Sequence, residues 1–236
     1  MNPEFLIAGL VWYVAFLLST TCHEAAHAWA AKLGGDLTAF HGGQVSLDPV
    51  PHVRREPFGM VVFPLLTYAT GGWMMGWASA PYDPMWSDRY PHRAASMSLA
   101  GPAANFTLAL LAGIGIHVGI WAGVFRVPDS ADLMHVVEPA AAGLATGAAM
   151  FVSLMFSLNL LLGAFNLLPV PPLDGFGVAG LAVPEDVARR IQNLGHSLGR
   201  MSVIGILVAW RLFDGLFHPI FLFGLRALYP GEGFGR

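Results

Sequence analysis

The chain alternates between long apolar runs and shorter polar or proline-rich stretches. A run of roughly 20 mostly apolar residues is long enough to cross a bilayer as a helix. Five runs reach that length, and they predict membrane spans at about residues 5–33, 57–79, 94–123, 139–168 and 200–228. We therefore predict an all-α polytopic membrane protein with about five to six transmembrane helices, in which residues 1–236 form a single domain.

Two of the polar stretches predict further elements. Residues 42–47 (GGQVSL) alternate polar and apolar positions as a short strand does, and the Asp-Pro-Val-Pro sequence at 48–51 ends the alternation. This predicts a short β-strand or hairpin in the loop after the first span. Residues 184–199 begin with proline and two acidic residues and are amphipathic, which predicts a helix lying at the membrane surface.

The composition agrees with a membrane protein. The chain is 55% hydrophobic and 11% charged, with a mean hydropathy of +0.58, whereas about a quarter of a soluble domain is charged. The net charge of −3 and the lack of a basic run argue against a nucleic-acid partner. A single cysteine excludes an internal disulfide. The N-terminus lacks a basic segment and a cleavage site, so we expect the first run to be an uncleaved span.

The first predicted span contains the motif His23-Glu24-Ala-Ala-His27. Two histidines four residues apart lie on one helix face, one turn from each other. This is the arrangement in which two imidazoles bind one Zn²⁺ while the adjacent glutamate acts on a water molecule. The motif is short and also arises by chance. However, ionisable residues in an apolar span are costly, and a metal site explains their spacing better than pairing with a neighbouring helix.

Catalytic zinc in hydrolases takes three protein ligands and keeps a fourth position open, so one more ligand is required. Asp174 is the favoured candidate, because it follows the fourth predicted span on a proline-rich segment and a buried carboxylate needs a cation partner. Cys22 is a less favoured additional donor, since the histidines already occupy the metal-binding face. The other candidates for the third ligand are His41, His52, His117 and Asp214.

Two further motifs accompany the histidine pair. Residues 101–105 (GPAAN) open the third span, where a glycine-proline pair permits close backbone approach and a local break in helical bonding. Residues 166–175 (NLLPVPPLDG) end the fourth span, and their prolines hold the backbone extended. Together and in this order, the three motifs resemble the signature set of the site-2 protease family, the intramembrane zinc metalloproteases.

The resemblance implies roles for the residues of these motifs. It implies that His23, His27 and Asp174 bind one Zn²⁺ per chain and that Glu24 is the catalytic acid/base. The expected activity is endopeptidase cleavage of transmembrane or membrane-anchored protein substrates by zinc-activated water. We expect the protein in a prokaryotic inner membrane, as a multi-pass protein in contact with the lipid bilayer.

The resemblance also implies that Asn105 and Asn166 lie near the substrate or the oxyanion. The chain looks like a short form of the family, without a PDZ-like insertion or a nucleotide-sensing domain. A transmembrane substrate must unwind before cleavage, because its helix shields the scissile carbonyl. We hypothesise that the strand predicted at 43–47 pairs with the unwound substrate.

Two other functions are compatible with the same motifs. A divalent-metal transporter could use the histidines and the aspartate as a transit site, but it would need further ligands along a path across the membrane. A non-catalytic binding protein of the same fold could lose Glu24 freely, so the presence of that glutamate argues against it.

Overall fold

The computed structural model describes residues 3–198, 202–232 and 234, and these residues form ten α-helices and one two-stranded sheet. The mainly helical fold is therefore confirmed. The long helices are α1 (Pro3–Leu33), α6 (Pro91–Trp121), α7 (Leu144–Asn166) and α10 (Ser202–Leu228). The shorter helices are α2 (Thr38–His41), α3 (Pro49–Arg55), α4 (Phe63–Gly71), α5 (Pro84–Arg89), α8 (Asp174–Val178) and α9 (Glu185–Leu198).

Membrane-spanning helices are fewer than predicted in the described part of the chain. By length and composition, α1, α6 and α7 can each cross a membrane. Helix α10 makes a fourth span if its two halves, which are bent by 52° between Phe213 and Gly215, are counted as one. The predicted count of five to six spans is thus not confirmed. Large apolar side chains such as Leu10 and Leu110 are exposed on the long helices, where bilayer hydrocarbon would cover them.

The second predicted span, residues 57–79, is not a single helix. A π-helical turn (Phe58–Val62) leads into α4, which ends at Gly71. The next residue, Gly72, has a φ of +75° that favours glycine. The chain then turns back, and Trp77 donates its backbone N–H to the carbonyl of Gly59. At 1.5 Å per residue the helical part rises about 21 Å, which is short of the roughly 30 Å of bilayer hydrocarbon.

The prediction of a strand after the first span is wrong. Residues 42–47 form turns and bends, and the sheet lies elsewhere, where β1 (Phe125–Arg126) pairs with β2 (Glu138–Pro139). Hydrogen bonds that involve side chains hold this segment, and no second strand pairs with it. The buried amide of Gln44 donates to the Ser79 carbonyl, and His52 Nε2 lies 3.0 Å from the Ser46 carbonyl oxygen. Burial does not follow the alternation either, because the polar Gln44 is buried and the apolar Leu47 is exposed.

Helix α6 packs against both α1 and α7 and organises the bundle. One apolar cluster includes Trp12 of α1, Ile116 of α6 and Leu154 of α7. A second cluster joins Ala31 of α1 to Met97 of α6. The histidine motif of α1 and the glycine-proline motif of α6 lie between these clusters along their helices. Apolar packing on both sides therefore holds the two motifs against each other.

Asp36 holds the segment that follows α1. It is 5% exposed. Its Oδ1 accepts hydrogen bonds from the Thr38 amide at 2.9 Å and the Thr38 hydroxyl at 2.6 Å, and its Oδ2 accepts one from the Asp83 amide at 2.9 Å. Burial by itself raises the pKa of this carboxyl, but the hydrogen bonds to the charged form outweigh burial and lower the pKa below its usual value.

We expect Asp36→Asn to lower the free energy of unfolding by about 1–3 kcal/mol at neutral pH, because the new amide N–H would face the Asp83 amide. The folded-state pKa is depressed, so the charged form stabilises the fold above the unfolded-state pKa of about 3.9. This stabilisation is lost as the pH falls through the folded-state pKa. Thermal unfolding in detergent should therefore show a difference in stability between wild type and Asp36→Asn that becomes smaller at acid pH. A difference independent of pH, or one also seen for Asp186→Asn on exposed α9, would contradict this account.

Candidate active site

Three ionisable residues of α1 lie together inside the bundle. His23, Glu24 and His27 are 8%, 6% and 6% exposed. The two imidazoles meet edge to face with ring centroids 4.6 Å apart, and their Nε2 atoms are 3.0 Å apart. The one-turn spacing of the motif therefore directs both Nε2 atoms to a single point, with a buried glutamate beside them.

Gly101 of α6 leaves the space into which these nitrogens point. A Cβ at this position would lie 2.3 Å from His27 Nε2 and 2.5 Å from His23 Nε2, which is closer than a carbon atom can approach. The predicted close backbone approach at the glycine-proline pair is therefore seen, and its neighbour is the histidine pair. Pro102 continues within α6, where its missing N–H removes one helical hydrogen bond.

Asp174 is far from the histidines in the sequence but lies beside them in the structure. The chain turns after α7, and Asp174 becomes the first residue of α8. Its Oδ2 lies 3.1 Å from His23 Nε2, and its Oδ1 lies 3.3 Å from His27 Nε2. Gly175 allows this turn, because a Cβ there would lie 2.2 Å from the Leu167 carbonyl oxygen.

The three side chains fit a zinc ion. Their ligand atoms all lie within 4.8 Å of one another. A tetrahedral Zn²⁺ with bonds of about 2.1 Å keeps its ligand atoms roughly 3.4 Å apart. The two Nε2 atoms are 3.0 Å apart, and each lies 3.1 or 3.3 Å from one oxygen of Asp174, which is close to this value. Asp174 Oδ2 is buried and makes no hydrogen bond. A buried carboxylate oxygen of this kind needs a cation.

Each imidazole is held through its other nitrogen. His27 Nδ1 lies 2.7 Å from the carbonyl oxygen of Met97, and His23 Nδ1 lies 2.6 Å from Asn105 Oδ1. A backbone carbonyl can only accept, so Nδ1 of His27 carries a proton, and Nε2 presents its lone pair when the imidazole is neutral, the form that binds a metal. Such partners orient metal-binding histidines in proteins.

The two asparagines of the motifs lie at different depths. Asn105 is fully buried and bonds to His23 through Oδ1 and to Asn159 through Nδ2. Asn166 is the half-buried last residue of α7, where the chain turns towards Asp174. Their expected proximity to the substrate or the oxyanion stays a prediction.

The other candidate ligands do not join this group. His52 is buried near the Ser46 carbonyl, and His117 packs its ring against Tyr229. His41 is exposed at the end of α2. The side chain of Asp214 lies outside the described part of the structure. Cys22 lines a groove beside α1, and the described residues include no fourth donor in the cluster of His23, His27 and Asp174.

Three residues that contact the site's histidines or the partners behind them were missed in the sequence. Ser19 and Asn159 are polar residues in apolar spans, placed one turn before His23 and two turns before Asn166, so their spacing was an available signal. Met97 acts through its backbone carbonyl, which every residue has. No sequence signal could have identified it.

Comparisons with known proteins identify the family of the chain. The model of peptidase family M50 matches residues 11–209. "Putative zinc metalloprotease YwhC" of Bacillus subtilis is 31% identical, over 92% of this chain and 96% of that protein. "Putative zinc metalloprotease Rip2" of Mycolicibacterium smegmatis is 30% identical, over 94% of this chain and 76% of that protein. No solved structure matches. Since the family match covers most of the chain and includes all three motifs, the chain belongs to peptidase family M50, the site-2 protease family, and is a metalloprotease.

Proposed function

We propose that this metalloprotease is an intramembrane zinc endopeptidase that hydrolyses peptide bonds of membrane-anchored proteins. The observation that carries the proposal is the meeting of His23, His27 and Asp174 at one buried point between apolar helices. A catalytic centre at this position is reached by a substrate segment that itself enters the membrane. Soluble chains would have to cross apolar surface to reach it.

The residues divide the chemistry between them. His23, His27 and Asp174 would hold the zinc ion, which when bound supplies Lewis acidity that polarises the scissile carbonyl and activates water. Glu24 accepts a proton from the attacking water and returns it to the leaving amine. We assign substrate contact to Asn166, which is the last residue of α7 and precedes the turn that leads to Asp174.

An apolar groove of about 480 Å³ runs beside the histidine motif and offers a path for the substrate. Cys22, Ala25 and Trp29 of α1 form one wall, and α6 and residues 45–47 form the others. Because a helical substrate hides its carbonyls, the segment that enters must be unwound. The hypothesis that it pairs with a strand at 43–47 is withdrawn, since that segment forms no strand. We propose instead that the unwound substrate segment binds in this groove through apolar contacts.

A divalent-metal transporter is the second candidate, and one observation argues against it. A transit path requires several ligand groups across the membrane. In the part of the chain that the structure describes, one group of three metal-binding side chains is found. Three protein ligands with Glu24 beside them are the arrangement of a catalytic zinc site in a hydrolase, and not of a transport path for metal ions.

Asp174→Ala tests the proposed function. We expect its zinc affinity to fall by more than about 100-fold, beyond the 10–100-fold typical of losing an outer partner, because a direct ligand is removed. Cleavage of a membrane-anchored reporter by purified protein in liposomes should become undetectable. Asp186→Ala, on the exposed face of α9, serves as the matched control and should match wild type. Normal zinc content and cleavage in Asp174→Ala would exclude the assigned site.

A further inference from the structure

A chain of hydrogen bonds runs from α7 across α6 to the first histidine of the site. Asn159 Oδ1 accepts from Asn105 Nδ2 at 2.8 Å, and Asn105 Oδ1 lies 2.6 Å from His23 Nδ1. Asn159 and Asn105 are both 0% exposed. We call Asn159, Asn105 and His23 the amide relay. Asn159 lies outside all three sequence motifs.

The far end of the amide relay is anchored by a group that can only accept. Asn159 Nδ2 donates to the backbone carbonyl of Met155 at 2.8 Å and to the Ser19 hydroxyl oxygen at 2.8 Å. Ser19 donates its own hydrogen to the Ala15 carbonyl at 2.7 Å, so it accepts from Asn159. The Met155 carbonyl therefore fixes which end of the Asn159 amide is the NH₂ group.

Each later step of the relay follows from this first one. Asn159 turns its oxygen towards Asn105, so the NH₂ group of Asn105 must face Asn159. The oxygen of Asn105 then faces His23 Nδ1, and that nitrogen must carry the imidazole proton. Nε2 of His23 keeps its lone pair and is directed towards Asp174 and His27. A flipped Asn105 amide would place N–H groups against Nδ1 and favour the tautomer that cannot bind metal through Nε2.

We propose that Asn159 is a positioning residue of the metal site, which acts through Asn105 to fix the metal-binding tautomer of His23. The inference rests on the proposed zinc site. His27 needs no such relay, because a backbone carbonyl sets its tautomer directly. The requirement is specific: an acceptor at position 159 must face the amide of Asn105. Ser19 supports Asn159 only in addition to the Met155 carbonyl, so its removal should cost little.

The proposal is tested by titrating detergent-solubilised protein with Co²⁺ and following the absorption of the bound ion, with zinc competition for affinity. Asn159→Leu keeps the branched shape of the side chain and removes the acceptor, and we expect metal binding to weaken about tenfold, at the lower end of what outer partners contribute. Ser19→Ala should stay within about threefold of wild type. Ser157→Ala, a buried serine of α7 whose hydroxyl bonds to the Leu133 carbonyl, is the matched control and should leave affinity unchanged.

A second background separates orientation from packing. In Asn105→Asp the new carboxyl group lies directly beside Nδ1 of His23, and a carboxylate that accepts from a metal-bound histidine stays ionised, unlike one at position 159. It presents an acceptor to His23 whichever way it is turned, so the orienting effect of Asn159 is no longer needed. Asn159→Leu should then change metal affinity less than twofold in that background, while a packing defect would act equally in both. Equal losses in the two backgrounds, or no loss in either, would overturn the proposal.

Asn159→Asp covers the case in which Asn159→Leu does not fold. A carboxyl group buried between apolar helices takes its neutral form. It can then donate to the Met155 carbonyl and accept from Asn105, so we expect metal affinity within about threefold of wild type. A tenfold loss in Asn159→Asp would contradict the relay. If the wild-type protein binds metal and the relay variants bind it with the same affinity, this inference alone is overturned. If the wild-type protein binds no metal, the proposed function is overturned as well.

Discussion

Glu24→Gln will abolish peptide hydrolysis while zinc stays bound. Glutamine has the shape of glutamate but cannot accept the proton of the attacking water, and general acid–base catalysis contributes about 10²–10⁴-fold to such reactions. We therefore expect the rate of reporter cleavage to fall by roughly 10³-fold or more. Zinc affinity should stay close to wild type, because the ligand group consists of His23, His27 and Asp174. Single-turnover cleavage in liposomes and metal analysis of the same samples measure the two quantities.

Glu185→Gln is the control for this experiment, since Glu185 is exposed on α9 and pairs with Arg189 at the surface. It should cleave at the wild-type rate. Zinc-loaded Glu24→Gln that still cleaves the reporter would remove Glu24 from the mechanism. Loss of zinc together with activity would instead make Glu24 part of metal binding.

Gly101→Ala should have the second large effect, on metal binding itself. The added methyl group would lie 2.3 Å from His27 Nε2 and 2.5 Å from His23 Nε2, so the rings or the helix must move by about an ångström. A displacement of this size costs on the order of 10²-fold in a catalytic geometry. We expect zinc affinity and cleavage to fall together by at least that factor, as measured by competition with a chelator and by reporter cleavage.

Gly115→Ala is the matched control in the same helix. A Cβ at Gly115 meets nothing within 4 Å, so this variant should bind zinc normally. It should also be slightly more stable, because alanine is favoured over glycine inside a helix by about 0.5–1 kcal/mol. Wild-type zinc affinity in Gly101→Ala would show that the glycine is not needed for the site. Unfolding temperatures of both variants separate a local displacement from general loss of structure.

Long uninterrupted apolar segments were predictable, and interrupted ones were not. The apolar runs at 94–123 and 139–168 correspond to α6 (Pro91–Trp121) and α7 (Leu144–Asn166), because length and hydrophobicity together determine a helix in lipid. The run at 57–79 is also mostly apolar, yet its chain turns back after Gly72. Hydropathy averages over a glycine turn of this kind, since it records apolar content and not the direction of the backbone.

The strand predicted at 42–47 failed for a related reason. Alternation with a period of two indicates two faces, but it does not show that a partner strand exists. Here Gln44 is buried by a hydrogen bond to the Ser79 carbonyl, and α3 begins two residues after Leu47 with Asp48 as its N-cap. The N-cap is a local signal that the helix begins here, whereas the contact between Gln44 and Ser79 joins residues that no local pattern connects.

By itself, the sequence determined that His23 and His27 lie on one helix face, because residues four apart are one helical turn from each other in any environment. It also determined that a buried carboxylate would need a cation, and it favoured Asp174 for that role. Only the tertiary structure decided which side chains meet. The packing of α1, α6 and α7 brings Asp174 to the histidines, fits Gly101 against their nitrogens and connects Asn159 to His23. These contacts depend on the directions of helices far apart in the chain, and local sequence does not encode those directions.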